Sequence, residues 1–173
     1  MKFRVLVGVV VALIGGAAVA GPASAAPPLP SLPYEVDLVG QDTAGTEGYC
    51  DFPVHVSVTQ GSAHYRQSTL PDGTRVTKAE GSAFATVTNE TTGKSLSYNI
   101  SGPGTITEDP GGSFSLDVHG PNLLWTTVEN SFPGVPQLAY THGHVLVEVN
   151  ADGTTENYSL SGNSVDVCAA LAP

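Results

Sequence analysis

Basic residues are what this chain has least of, with six Lys and Arg against sixteen Asp and Glu and a formal net charge of −10 at pH 7. Nucleic acids and anionic membranes both recruit proteins through Lys and Arg, so neither is expected as a partner. Cysteine is also sparse, with two in 173 residues, which excludes a disulfide-dense miniature scaffold and a Cys-rich zinc knuckle. No window of helical length carries an apolar stripe at spacings of three and four, which argues against a helical bundle. After the first twenty residues no apolar run is long enough to span a membrane. There is no Gly-x-Ser-x-Gly elbow, so the signature of an α/β-hydrolase is missing.

What is present begins with the leader. Met1-Lys2-Phe3-Arg4 is a short basic lead, Val5 to Ala20 is apolar, and Ala23-Ser24-Ala25 offers small residues where a signal peptidase needs them. Residues 1–25 therefore read as a signal peptide, with Ser24-Ala25-Ala26 an equivalent triplet one residue later. A retained membrane anchor fits less well, because Gly15 and Gly16 interrupt a run of about sixteen residues where a span wants about twenty. The expected protein is secreted, extracellular or associated with the cell envelope. Removing the leader takes Lys2 and Arg4 with it, leaving Arg66, Arg75, Lys78 and Lys94 against all sixteen acidic residues, a charge of −12. Such a surface favours solubility.

The mature length suits one domain with its own core. Residues 26–33 hold four prolines and read as an extended lead. Residues 26–48 form that lead and a loop, with a short strand expected over Tyr34 to Val39, and the single β domain covers 49–173. From Cys50 the hydrophobic period is two. Cys50, Phe52, Val54, Val56 and Val58 share one face, and alternation recurs around Phe84, Leu96 to Ile100, Phe114 to Val118 and Val145 to Val149. Pro71-Asp72-Gly73, Asn89 to Gly93, Asp109 to Gly112 and Ala151-Asp152-Gly153 sit between these runs as hairpin turns. The chain is all-β. Short neighbour-to-neighbour hairpins suggest an antiparallel meander of about eight to ten strands closed as a β-barrel, with a β-sandwich as the alternative. Glu129 to Pro136 is the longest candidate crossing, and Val167 to Leu171 is expected to form a helical turn. In an oxidising compartment Cys50 and Cys168 are expected to form a disulfide closing nearly the whole domain.

Several stretches together resemble a group of small secreted all-β proteins of actinobacteria. They are Cys50-x-Phe52-Pro53-Val54, Thr88-Asn89 followed by Thr92-Gly93-Lys94-Ser95, Ile100-Ser101-Gly102-Pro103-Gly104, Gly120-x-Asn122-Leu123-Leu124, and Ser161-Gly162-Asn163 leading to Asp166-Val167-Cys168-Ala169. The resemblance implies export and a shared β fold and brings no activity, cofactor or catalytic residue.

Candidate chemistry centres on the five histidines. His142 and His144 lie two apart in a strand, so their rings share a face, a spacing that holds zinc or copper when a third ligand arrives from a neighbour. His55 and His119 also fall on polar strand faces, and His64 is near a loop. No Cys or third His stands at a diagnostic spacing, so the sequence assigns no metal ligand, no cofactor and no catalytic residue. The Asp-Gly pairs at 72 and 152 lack the rest of a calcium loop. Asn89-Glu90-Thr91, Asn99-Ile100-Ser101 and Asn157-Tyr158-Ser159 match a glycosylation triplet that arises often by chance. Tyr140 shares a strand face with Leu138, His142, His144 and Leu146, a mixture that would line a barrel cavity with polar handles. Trp125, Tyr140, His142 and His144 are accordingly the candidate ligand-binding residues. The expected role is non-catalytic: binding a small apolar or amphipathic ligand, or an extracellular or envelope partner. The alternative is a secreted enzyme or metal-binding protein using the strand histidines.

Overall fold

The computed structural model describes residues 8–10, 34–38, 49–126 and 132–173. They form strands β1 Gly8–Val10, β2 Tyr34–Leu38, β3 Val54–Gln60, β4 His64–Thr69, β5 Arg75–Glu80, β6 Ala83–Asn89, β7 Ser95–Asn99, β8 Gly104–Glu108, β9 Phe114–Trp125, β10 Leu138–Val149 and β11 Thr155–Asp166, then helix α1 Val167–Leu171. The cleavage triplets and the proline-rich lead lie outside the described residues. Gly8–Val10 pair antiparallel with Leu123–Trp125 at the end of β9.

All four turn signals join antiparallel neighbours, giving the hairpins β4–β5, β6–β7, β8–β9 and β10–β11. The chain does not continue as one meander, however. It partitions into a large sheet ordered β11-β10-β9-β8-β5-β4, with β1 also on β9, and a smaller sheet ordered β2-β3-β6-β7. No closed barrel is found among the described residues, so the expected barrel gives way to two antiparallel sheets. The reason lies in the links between hairpins. The chain passes between sheets at 61–63, at 81–82 and at 100–103, and the first two passages are stitched together. Gly61 N and Ala63 N both donate to Ser82 O, while Ser62 N and Ser82 N each donate to the other's Oγ. A Cβ at Gly81, where φ is +105°, would sit 2.4 Å from Ser62 O. Only glycine fits so close a crossing.

Two apolar clusters result. The first joins Val54, Val56, Val58, Ala85 and Val87 of the smaller sheet to Leu123, Trp125 and Leu138 at one end of β9 and β10, and to Val167 and Leu171 of α1. The Cys50–Cys168 disulfide, with Cα atoms 5.4 Å apart, pins the helix there. Asp166 caps α1, its side chain accepting from Ala169 N at 2.9 Å. The second cluster lies on the opposite face of the large sheet and contains Ile106, Leu116, Val118, Leu124, Val145, Val147 and Val149. The segment expected as a long crossing instead links the adjacent strands β9 and β10, and its Phe132 stacks on Tyr158 with ring centroids 3.7 Å apart. Burial there pushes the Tyr158 hydroxyl up to about 12.

Between the two packed regions a row of glycines crosses the large sheet. Gly120 pairs with Gly143, and Gly143 with Gly162, with φ of +79°, +130° and +146° respectively. A Cβ at Gly143 would lie 2.0 Å from Ser161 O, and one at Gly162 would lie 1.9 Å from His142 O. The row lets the long strands bend where their packing partner changes from one cluster to the other.

Replacing Gly143 by Ala should lower unfolding stability by about 3 kcal/mol through overlap and left-handed strain, and urea denaturation measures it. A loss under 0.5 kcal/mol would show that the row is not constrained. Replacing both Cys50 and Cys168 by Ser should cost about 2–5 kcal/mol in the same assay.

Candidate metal centre

The polar face of the large sheet carries the densest group of ligating side chains, and register puts them there. Within β9, Asp117 and His119 are two apart and therefore share a face. In the β9–β10 ladder His119 stands directly opposite His144, where side chains of an antiparallel pair meet. The imidazoles stack with centroids 4.3 Å apart and planes within 2°. Asp117 Oδ1 lies 3.1 Å from His119 Nε2 and 2.9 Å from His144 Nε2. One ligand atom from each of the three residues falls within 4.8 Å of the others.

The backbone under His119 is tightly held. His119 N donates to Pro103 O at 2.9 Å and Gly102 N donates to Pro121 O at 3.1 Å. Buried Asn122 turns its Nδ2 back to the carbonyls of His119 and Gly120. A Cβ at Gly102 would fall 2.1 Å from His119 O, so the passage from β7 to β8 fits against the histidine's backbone only as glycine. Gly120 and Gly143 supply the bend next to His119 and between His142 and His144. The site thus sits on a rigid part of the fold, while its side chains stay open to water at 46% for Asp117, 58% for His119 and 39% for His144.

The donor set is two imidazole nitrogens and one carboxylate oxygen. Ligands bound tetrahedrally at about 2.0–2.2 Å from zinc stand about 3.3–3.6 Å from one another, so small adjustments of one exposed and two half-buried side chains would centre an ion. Three protein ligands leave coordination positions free. Beside the cluster is an open depression of about 190 Å³ bordered by Lys78, Glu80, Pro103, Gly104, Thr105, Asp117 and His119.

The other sequence candidates divide. His142 is exposed on the same strand face as His144, with its ring edge-on to Tyr140 at 4.6 Å. Tyr140 packs on Tyr98 at 4.6 Å and donates its hydroxyl to Asn99 O at 2.9 Å, tying β10 to the smaller sheet. Trp125 is 6% exposed in the first core cluster, so it packs the interior and does not line a site. His64 reaches Glu80 at 3.7 Å on the far side of the depression. His55 is on the other sheet, opposite Asp37 in the β2–β3 ladder, with Nδ1 2.6 Å from Asp37 Oδ1. Asp72 and Asp152 are turn residues: Oδ1 of each accepts from the backbone of Thr74 or Thr154, and both carboxyls are lowered by bonds from those threonines. Sequence reading missed Asp117 altogether. Its signal is Asp-x-His, the same two-residue spacing as His142-x-His144, on the preceding long strand.

Hydrogen bonding to Asp37 raises the pKa of His55, with further help from the charges of Asp37, Glu35 and Glu90. The protonated form therefore stabilises the β2–β3 pairing fully below the unfolded value of about 6.5, and that contribution disappears as pH rises through the folded value. In an NMR titration His55 should have a midpoint above 6.5, and Asp37→Asn should bring it down. An unchanged midpoint in the variant would remove Asp37 as the cause.

No protein-family model, curated protein or solved structure matches the chain significantly, so the reading of the site rests on its own geometry.

Proposed function

We propose that this is an exported binding protein that takes one divalent transition-metal ion, of the zinc and copper class, on the part of its large sheet that the smaller sheet leaves uncovered, through His119 Nε2, His144 Nε2 and a carboxylate oxygen of Asp117. The observation that carries the reading is the convergence of these three donors within 4.8 Å of one another. Each ligand type suits the class. Neutral imidazole is a common ligand of zinc and copper, and one carboxylate offsets half the ion's charge. Two donors on one strand and the third directly across leave the ligands little entropy to lose on binding. Export fits the disulfide, which belongs to an oxidising space, and no described helix is long and apolar enough to cross a membrane. The reading takes up the alternative of a metal-binding protein using strand histidines in place of an apolar ligand, and the packing of Trp125 and Tyr140 supports that choice.

Isothermal titration of residues 26–173 with zinc chloride at pH 7.5 should show one site per chain. His144→Ala and Asp117→Asn should each weaken it at least tenfold, whereas His142→Ala should change it less than twofold. Equal zinc binding by the wild type and the His144→Ala variant would overturn the assignment.

A further inference from the structure

The depression is bordered by two of the three proposed ligands, Asp117 and His119, and the cross-strand row that runs through it carries two basic side chains. Arg66 stands opposite Lys78, Lys78 opposite Thr105, and Thr105 opposite Asp117. Paired residues project to the same face, so Arg66 and Lys78 lie on the cluster's face of the sheet. Like charges directly opposite each other destabilise a ladder, and in a chain with four basic residues beyond the leader this pairing is not a matter of crowding. The other two are engaged, Arg75 with Glu108 at 2.9 Å and Lys94 with the carbonyl of Ala172 at 2.8 Å. Among the described residues neither Arg66 nor Lys78 has an ion pair. Lys78, Thr105 and Asp117 all border the depression, with Thr105 standing between the other two on the row.

We propose that the depression binds a phosphate group, one oxygen completing the coordination of the metal held by Asp117, His119 and His144 and another accepting from Lys78 Nζ, with the Thr105 hydroxyl on the same row and Arg66 adding longer-range attraction. The proposal rests on the metal reading of the preceding subsection. The charges fit a dianion. The ion with Asp117 carries +1, Lys78 and Arg66 add two, and Glu80 on the rim removes one, leaving +2. Strands stand about 4.8 Å apart, so Lys78 and Asp117 are two strand spacings apart at the backbone, and a tetrahedral anion fits between a lysine reaching inward and the ion. Glu80 and the acidic remainder of the surface repel larger polyanions, which limits the ligand to a single phosphate, free or as a monoester.

Cobalt(II) in place of zinc makes both steps visible. Its visible spectrum reports the metal site, and its unpaired electrons broaden the 31P resonance of any phosphate bound beside it. Residues 26–173 loaded with cobalt should broaden inorganic phosphate in a saturable way. Lys78→Met should weaken phosphate binding about tenfold while leaving the cobalt spectrum before phosphate unchanged, and Glu80→Gln should strengthen it. Phenyl phosphate competing at similar concentration would identify an ester site, and its failure to compete would identify a site for the free ion. Either result agrees with the proposal. Equal broadening by wild type and Lys78→Met, or none at all with cobalt bound, would overturn the phosphate site and leave the metal site standing. Absence of a cobalt spectrum would overturn both. Lys78 is exposed, so the variant should fold, and circular dichroism verifies this.

Discussion

The register between β9 and β10 is the constraint on which the rest of the molecule depends. Twelve residue pairs run without a slip from Leu138 opposite Trp125 to Val149 opposite Phe114. A shift of one residue would turn Val145, Val147 and Val149 out of the second core cluster and send His144 to the wrong face. The hydrophobic effect on one side of the sheet therefore fixes the polar arrangement on the other. Burial of Val118 beneath the sheet and the pairing of His119 with His144 above it are two consequences of the same ladder. The glycine row at Gly120, Gly143 and Gly162 adds the bend that moves Leu123, Trp125 and Leu138 toward the smaller sheet while the histidines remain in solvent.

Local features of the fold were legible in the sequence. Clean or nearly clean alternation marked β3, β6, β7, the first half of β9 and the second half of β10, and Asp-Gly and Asn-to-Gly segments marked hairpins that the structure contains. The C-terminal turn spans Val167–Leu171 as expected, and Cys50 is bonded to Cys168. The division into two sheets was not legible, because it depends on which hairpins lie beside each other. β3 pairs β6 and β5 pairs β8, contacts made by the Gly61–Ser62 and Gly81–Ser82 passages whose sequence reads like any turn. The second half of β9 was also hidden. Gly120 and Pro121 look like strand breakers, yet here they sit inside a twelve-residue strand.

The site was half legible for the same reason. Spacing of two showed that His142 and His144 share a face, and side-chain period shows it for Asp117 and His119. Spacing cannot show that His119 faces His144, since that is a property of register, nor that His55 belongs to the other sheet. The aromatic residues have packing roles, as a buried Trp commonly does. Trp125 and Tyr140 do lie on the face that carries the histidines, but the smaller sheet covers their end of it, so one face serves as core at one end and as a solvent-exposed site at the other.

Electrostatics give the arrangement its direction. A strongly acidic surface raises the local concentration of cations, and a donor set of two imidazoles and one carboxylate suits transition metals better than calcium, which prefers an all-oxygen shell. Anomalous diffraction at the zinc edge, from crystals of the exported chain grown with zinc, tests the central claim most directly. A single strong peak about 2.0–2.2 Å from Nε2 of His119, Nε2 of His144 and a carboxylate oxygen of Asp117 is the predicted result. A structure with those side chains ordered and no peak between them, or with zinc seated instead at His64 and Glu80 or at His55 and Asp37, would contradict it.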